Sequence, residues 1–400
     1  MTLNDSGVLV AGACSIRRRQ RGVGLVEVMI GMLIGMIALL IMLQMLSSSE
    51  GQKRTTLGAD DAQNNGAISL YSIQRDLREA GYGVSELRVI GCGLTNLPGG
   101  ASLPSAAPVV INPATSVIPA GDANTDRLLV VLGDSSGVAQ GIPVLDPAAV
   151  GGLARMSARG LNGNPITTTN GENYYAWNPQ LVQAGAYVFV GAAARASGAC
   201  SYALKQVNPA SAGAGVAQNA TTGYIYSLGM APRLVAYRVS NGNLTSCDYL
   251  TQDCTSAGNY QIIAENIVSL RAQYGRDTGT GDLDGILDTY DQTTPASACD
   301  WARVSAVRFV VVARGADRST GVTTVAPTWA GSATAPLTLS SVPVPAGQSW
   351  QDYRYRTFET VVPLRNNVVW GLVQSSGKNP PWHISQPDNA ASTGVAGCPL

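Results

Sequence analysis

The chain has 400 residues, and its 26 Lys+Arg balance 26 Asp+Glu, so the formal charge is zero. Charged residues make up 13%, about half the roughly 25% of an ordinary soluble domain. An apolar content of 45% excludes disorder for lack of core material, while 45 Gly and 21 Pro promise many turns. Zero net charge, with no basic tract beyond the N-terminal segment, argues against nucleic acid as a partner, since that binding rests on neutralised phosphates.

Arg17, Arg18, Arg19 and Arg21 precede an apolar run over 23–46 in which Glu27 is the one charged residue and Gln44 the late polar one. As a helix rising about 1.5 Å per residue, the run reaches roughly 36 Å, enough for a hydrocarbon core of about 30 Å. Arginines before the run, with no comparable cluster after it, leave 1–22 in the cytoplasm and send the remainder across the membrane. A cleaved secretory signal has an apolar core of only about 7–15 residues, although Ser47, Ser48 and Ser49 imitate its cut site. A plain signal anchor fits the length and leaves Glu27 unexplained, because a carboxylate inside the membrane costs about 2.5–3.5 kcal/mol on insertion scales. Gly31 and Gly35 make a GxxxG spacing that would let another helix approach closely, and glycine is also ordinary in membrane helices.

The stretch Gly22-Val23-Gly24-Leu25-Val26-Glu27 resembles the type IV prepilin signal. The resemblance implies that a prepilin peptidase cuts after Gly22. Val23 then becomes the N-methylated terminus, standing where that family usually has phenylalanine or methionine, and Glu27 is fifth in the mature chain. The cut exposes a positive α-amino group beside a hydrocarbon-embedded helix. Glu27 of the same or a neighbouring subunit would neutralise it, and a buried pair is tolerable where a lone charge is not.

Beyond the membrane the helix is predicted to continue to Ala80, with 47–82 as its exported half and Leu57, Ile68, Leu70, Ile73 and Leu77 at helical spacing. Mixed charge over 74–79 reads as a solvated face, Gly51, Gly58 and Gly66 as bends or local melting, and Gly81 with Gly83 as the stop. From 83 to 400 the chain reads as one β-rich globular domain. Strands are predicted over 108–112, 126–132, 184–190, 223–228, 233–239, 260–274, 304–313 and 353–364, rich in Val, Ile and Tyr between Gly/Ser/Pro/Asn clusters. The low-charge stretches 94–122, 145–182 and 320–350 read as long surface insertions. The fold class is α+β, a long N-terminal helix packed on an antiparallel sheet.

Three segments resemble PilW-type minor pilins: 73–82, 301–314, and 354–366 with its Phe358-Glu359-Thr360 and Leu364-Arg365-Asn366. The resemblance implies a pilin-like fold and a non-catalytic subunit that helps initiate type IV pilus assembly near the fibre tip. Its partners would be other minor pilins, the major pilin, the assembly platform and the prepilin peptidase. It would sit in the inner membrane by one span, with its bulk in the periplasm, and enter the pilus on assembly. A type II secretion pseudopilin would share the signal. A calcium-dependent tip adhesin or ligand-binding module would instead use the neutral insertions as its surface.

Cys14 falls in the leader, leaving Cys92, Cys200, Cys247, Cys254, Cys299 and Cys398 in the exported part. An even set there predicts up to three disulfides, with Cys247–Cys254 the easiest closure and the remaining connectivity open. No CxxC or His-rich spacing supports zinc, and His383 is the one histidine. The acidic loop 277–288 is the candidate cation site. Counted from Thr280, Asp282 and Asp284 fall at the third and fifth positions of a calcium loop, Gly285 at its turn, Asp288 at the ninth and Asp291 at the twelfth. Threonine replaces the usual first ligand and no flanking helices are predicted, so a solvated acidic turn competes with Ca²⁺.

Two motifs read as decoys. Gly133-Asp134-Ser135-Ser136-Gly137 fits G-x-S-x-G, but no helix follows to make the strand–turn–helix elbow that exposes such a serine. Tyr353-Arg354-Tyr355-Arg356 would place tyrosines on one face of a strand and arginines on the other, which a half-buried strand explains without nucleic acid.

Overall fold

The computed structural model describes residues 22, 24–86, 89–97, 100–136, 141–145, 186–192, 200–206, 222–278, 286–318 and 324–367. The chain divides into two compact units, 1–56 and 57–400. One helix, α1 (Leu25–Glu79), carries residues of both.

In the first unit, α1 begins with Glu27 N–H and Val28 N–H donating to the Gly24 carbonyl at 2.9 and 3.2 Å. Its apolar side chains are exposed throughout, from Leu25 at 77% to Met45 at 71%. Among the described residues, Leu25–Glu50 is the one helical stretch long and apolar enough to cross a membrane.

In the second unit the rest of α1 buries one stripe: Gly58, Ala62, Gly66, Ser69, Ile73 and Asp76 recur three or four residues apart, Leu77 joins them four after Ile73, and Ala80 follows just past the helix end. The glycines do not melt the helix. A Cβ on Gly66 would lie 2.0 Å from the Phe358 ring, so this position is glycine to admit an aromatic side chain. The helix stops after Glu79, where Gly81 takes φ +93° and donates its N–H to Val131 O at 2.9 Å.

Two antiparallel sheets make the core. The first has β2 (Val109–Ile111), β3 (Leu128–Leu132), β9 (Arg233–Ser240), β10 (Asn243–Asp248) and β11 (Gln261–Ala264) in the order β11-β10-β9-β3-β2. The second has β12 (Ile267–Arg276), β13 (Thr289–Asp291), β14 (Val304–Arg314) and β15 (Tyr355–Pro363) in the order β13-β12-β14-β15, with the short α2 (Ala298–Ala302) before β14. Alternation along β14 turns Val307, Phe309 and Val311 into the main core, whereas Val310 and Val312 join a second cluster on the opposite face. Two further sheets flank these: β4 (Ile142–Leu145), β8 (Thr222–Gly229), β5 (Tyr187–Ala192) and β7 (Lys205–Gln206) in that order, and the parallel pair β1 (Gly93–Thr95) and β6 (Ser201–Ala203).

Several expectations are corrected. The stretch 94–122 is no surface insertion, because Leu94, Leu103, Val109, Ile111 and Ile118 are buried in the core. Nor is 320–350: Trp329, Leu337, Leu339 and Val342 cover Val268, Val310 and Val312 on the far face of the second sheet. Both segments lack regular backbone over much of their length, so their buried residues show no period. The stretch 145–182 lies outside the described residues. The strand predicted over 260–274 is two strands in different sheets, parted at Asn266 with φ +55°. An unpredicted hairpin joins β9 to β10, and positive φ at Asn241 and Gly242 fits the Asn-Gly preference of tight hairpin turns.

Cys92 is bonded to Cys200 and Cys247 to Cys254, with sequence separations of 108 and 7. Cys299 is disulfide-bonded too, and Cys398 lies outside the described residues.

Two outcomes follow from this packing. Gly66→Ala gains about 1 kcal/mol of helix propensity but must displace the Phe358 ring, so the net effect on the detergent-solubilised chain is a lower unfolding midpoint. Adding Phe358→Leu should recover part of that loss, and purely additive effects would remove the steric account. Replacing the Cys92–Cys200 pair by alanines should cost about 4.8 kcal/mol of chain-entropy stabilisation, against about 2.5 for Cys247–Cys254. Guanidinium unfolding compares the two variants, and equal losses would contradict the loop-length argument.

Candidate functional site

The functional features run along α1. At its start, Gly22 is exposed and Val23 lies outside the described residues. Glu27 sits in the first helical turn, where a carboxylate is favoured by unpaired N–H groups and the helix dipole. Among the described residues, nothing lies within 4 Å of a Cβ placed on Gly24, Gly31 or Gly35. A bare apolar helix with one carboxylate near its start is built to be covered by hydrocarbon or by other helices, since water solvates it poorly.

At the other end of α1 lies a carboxylate that reading 74–79 as a solvated face had missed. Arg75, Arg78 and Glu79 are exposed, but Asp76 is fully buried. Asp76 Oδ1 accepts from Arg75 Nη2 at 3.0 Å and from Arg233 Nη1 at 3.2 Å, and Oδ2 accepts from Tyr237 OH at 2.5 Å. Arg233 and Tyr237 both belong to β9, so one helical side chain is fastened to the middle strand of the first sheet. Burial pushes the Tyr237 hydroxyl far above its ordinary pKa, and the Asp76 charge adds to the effect, so it stays a donor. The hydrogen bond and charge of Asp76 likewise raise Arg75. The signal was present in the spacing, because Asp76 falls three residues after Ile73 and four before Ala80 on the buried stripe.

Two further contacts close this seam. Ala80 forms an isolated antiparallel bridge with Leu132 of β3. Asn366, just past β15, donates to the Glu79 carbonyl at 3.0 Å, satisfying one of the orphan acceptors at the helix end. A second buried carboxylate, Asp126, joins the two main sheets. It accepts from Asn112 at 2.8 Å, Arg271 at 2.9 Å, Ala272 N–H at 2.8 Å and Gln292 at 2.6 Å. Burial raises its pKa, with Arg271 and the hydrogen bonds opposing the shift.

The acidic loop is only partly visible. Asp282 and Asp284 lie outside the described residues, while Asp288 Oδ2 accepts from Thr278 N–H at 2.7 Å. Asp291, at the position of the twelfth ligand, is held by Arg276, with Nε 2.8 Å from Oδ2 and Nη2 3.1 Å from Oδ1. Among the described residues no group of three or more His, Cys, Asp or Glu is placed to hold a metal.

The turn at Asp134–Ser136 is fastened to the end of β8: Met230 N–H donates to Ser136 Oγ at 2.8 Å, and Ser136 Oγ to Asp134 Oδ2 at 2.5 Å. Ser135 itself is exposed. In 353–356, Tyr353 is buried beneath the Arg314 guanidinium and Tyr355 is half-buried, with Arg354 and Arg356 exposed. His383 lies outside the described residues.

A family model described as Type IV Pilus-assembly protein W matches residues 234–366, and one described as Prokaryotic N-terminal methylation motif matches 17–43. The chain thus carries a PilW domain behind a prepilin methylation motif, the pairing of a type IV pilin-like protein. The PilW match runs from β9 through β15 and so holds Tyr237, Asp126's partners on β12 and the helix-capping Asn366. The methylation-motif match holds Arg17, Gly22, Val23 and Glu27. Among solved structures, a type IV-like pilin from Thermus thermophilus aligns with 11% identity and a TM-score of 0.32, over 77% of this chain and 96% of that one. No curated protein matches the chain. Similarity to pilus-assembly and prepilin models implies a structural subunit that interacts with other pilus components and is anchored in a membrane.

Asp76→Ala should leave Tyr237 and two guanidinium groups around an empty site and cost about 3–5 kcal/mol, as breaking a buried pair does. Tyr237→Phe removes one buried hydrogen bond and should cost about 1–3 kcal/mol. Denaturant midpoints of the two variants test this, and an Asp76→Ala protein as stable as the parent would show that the seam does not depend on it.

Proposed function

We propose that this PilW-type protein is a minor pilin that helps initiate and build a type IV pilus, taking its place near the fibre tip. In this reading 1–22 is a cytoplasmic leader, 23–46 spans the inner membrane, 47–82 is the exported half of the helix and 83–400 is the periplasmic domain. The prepilin peptidase removes the leader after Gly22, and Val23 is the N-terminus that receives the methyl group. Glu27 receives the α-amino group of a neighbouring subunit. The partners are other minor pilins, the major pilin and the assembly platform. The protein is processed by enzymes and performs no catalysis itself.

The observation that carries this reading is the contrast along α1. Its apolar stretch exposes every described side chain from Leu25 to Leu46, yet includes one carboxylate in the first turn. Such a helix gains by burial in hydrocarbon, while Glu27 loses unless a cation joins it there. A fibre of cleaved subunits supplies both.

Gly22 and Glu27 should therefore fail in different ways. Gly22→Val should leave the leader attached, read by N-terminal sequencing. Glu27→Val should insert and be cleaved as before, because it removes a charge whose insertion cost is about 2.5–3.5 kcal/mol. What should be lost is its recovery with other pilins, measured by co-purification. An uncleaved parent protein would end the prepilin reading, and a Glu27→Val protein that co-purifies normally would remove Glu27 from assembly.

A further inference from the structure

Cys299 sits half-buried in α2 and is disulfide-bonded, while the other four described cysteines are joined to each other as Cys92–Cys200 and Cys247–Cys254. Two cysteines of the chain are left as candidates for its partner, Cys14 and Cys398. They lie on opposite sides of the apolar run, and the chemistry of the two sides differs. Cys14 is on the side of Arg17, Arg18, Arg19 and Arg21. In the orientation proposed above, that side stays in a reducing cytoplasm and is lost with the leader. Cys398 is exported to where disulfides form and persist.

The surroundings of α2 favour the same partner. Ser297 and Asp300 cap this short helix reciprocally: Ser297 Oγ accepts from Asp300 N–H at 3.1 Å, and Asp300 Oδ2 from Ser297 N–H at 3.0 Å. The turn that carries Cys299 is thereby held in place. The last described residue, Asn367, lies against that turn. It is buried, and its Nδ2 donates to Trp301 O at 3.1 Å and to Val304 O at 2.6 Å. Its backbone N–H closes a turn onto Leu364 O at 3.1 Å. Residues 368–400 therefore set out beside Trp301, two positions from Cys299. A disulfide needs its Cα atoms within about 7 Å. A tether that begins beside Cys299 meets this condition at a closure cost that rises only slowly with its length.

We infer that Cys299 is bonded to Cys398. All three disulfides then join cysteines that are neighbours in sequence order, so each closes as its second thiol emerges and none requires reshuffling. This one closes last, since Cys398 is the last cysteine to cross. Each thiol gives up a proton, and the two electrons pass to the disulfide of a thiol oxidase in the exporting compartment, which leaves as a dithiol. The bond ties the segment that follows β15 back to the turn that precedes β14, so the two outer strands of the second sheet lie within one covalent loop. The choice against Cys14 rests on the membrane orientation proposed above, whereas the position of Asn367 beside α2 does not.

The test maps the disulfides of the full chain, purified in non-ionic detergent with free thiols blocked by N-ethylmaleimide at lysis. Trypsin cuts after Arg and Lys, so without reduction the bond joins fragment 277–303 to fragment 379–400, whereas Cys247 and Cys254 stay together inside 239–271. Mass spectrometry should find the joined pair, and a reductant should split it. Cys398→Ser should expose one maleimide-reactive thiol, at Cys299, where the processed parent exposes none. Maleimide on Cys398 in the parent, or a bond from Cys398 to any cysteine other than Cys299, would overturn the inference. Fragment 277–303 joined to 1–17 would assign the bond to Cys14 and overturn it too. N-terminal sequencing of the same sample shows whether the chain was cut after Gly22, so a failed pairing is told apart from a failed prepilin reading.

Discussion

A carboxylate without water must find all its hydrogen bonds inside the protein, and at Asp76 this requirement fixes how α1 meets the sheets. Its three donors come from α1 itself and from two positions of β9, so the helix can neither slide by a turn nor rotate by a residue without stranding the charge. The neighbouring features obey the same register. Ile73 and Leu77 bury beside Asp76, Ala80 bridges to Leu132, and the Glu79 carbonyl is met by Asn366. Hydrophobic burial alone would have tolerated more than one placement, because a stripe of Ala, Ile and Leu is nearly uniform along its length. The polar cluster removes that freedom, which is the use of buried charge best supported by precedent.

The same helix carries a second carboxylate with the opposite circumstance. Among the described residues nothing partners the Glu27 side chain, and the surrounding apolar residues are exposed. Asp76 is satisfied by donors of its own chain, whereas Glu27 has none among the described residues. The distinction is visible in composition as well as in structure, since Arg75 adjoins Asp76 in sequence, and the basic residues nearest Glu27 all precede Gly22.

The sequence made the apolar stretch, the helix end near Ala80 and most strands of the two main sheets legible, because these rest on unbroken periodicity or on β-branched runs bounded by Gly and Pro. Asp76 and Asp126 were hidden by a rule that usually holds, that charged residues face water. Gly66 was read from propensity, yet its reason lies almost 300 positions away in Phe358, a separation at which no local rule operates. Trp329 and the leucines at 337 and 339 were lost for a related reason. They bury from irregular backbone, where neither the period of a helix nor that of a strand announces the inner face. The Asn241-Gly242 turn, by contrast, was a readable hairpin signal that was passed over.

Much of the chain's length enters the sheet at one place. β3 and β9 pair directly, with Leu132 opposite Arg233, so residues 133–232 leave from one end of a strand pair and return to the same end. Without that excursion the two strands would form an ordinary hairpin. An insertion at such a point interrupts no ladder and moves no core residue of β3 or β9. Its entropic cost grows only by about 0.6 kcal/mol for each doubling of length. That explains how a sheet held to α1 by Asp76 and to the second sheet by Asp126 tolerates so large an addition. The excursion is also tied back away from its neck, because Cys200 is bonded to Cys92 and β6 pairs with β1. With both the neck and this second point fixed, the parts of the excursion that carry β5, β6 and β8 hold Phe189, Tyr202 and Tyr226 in one stacked aromatic row against the core. The described parts of the excursion thus add buried surface to the domain.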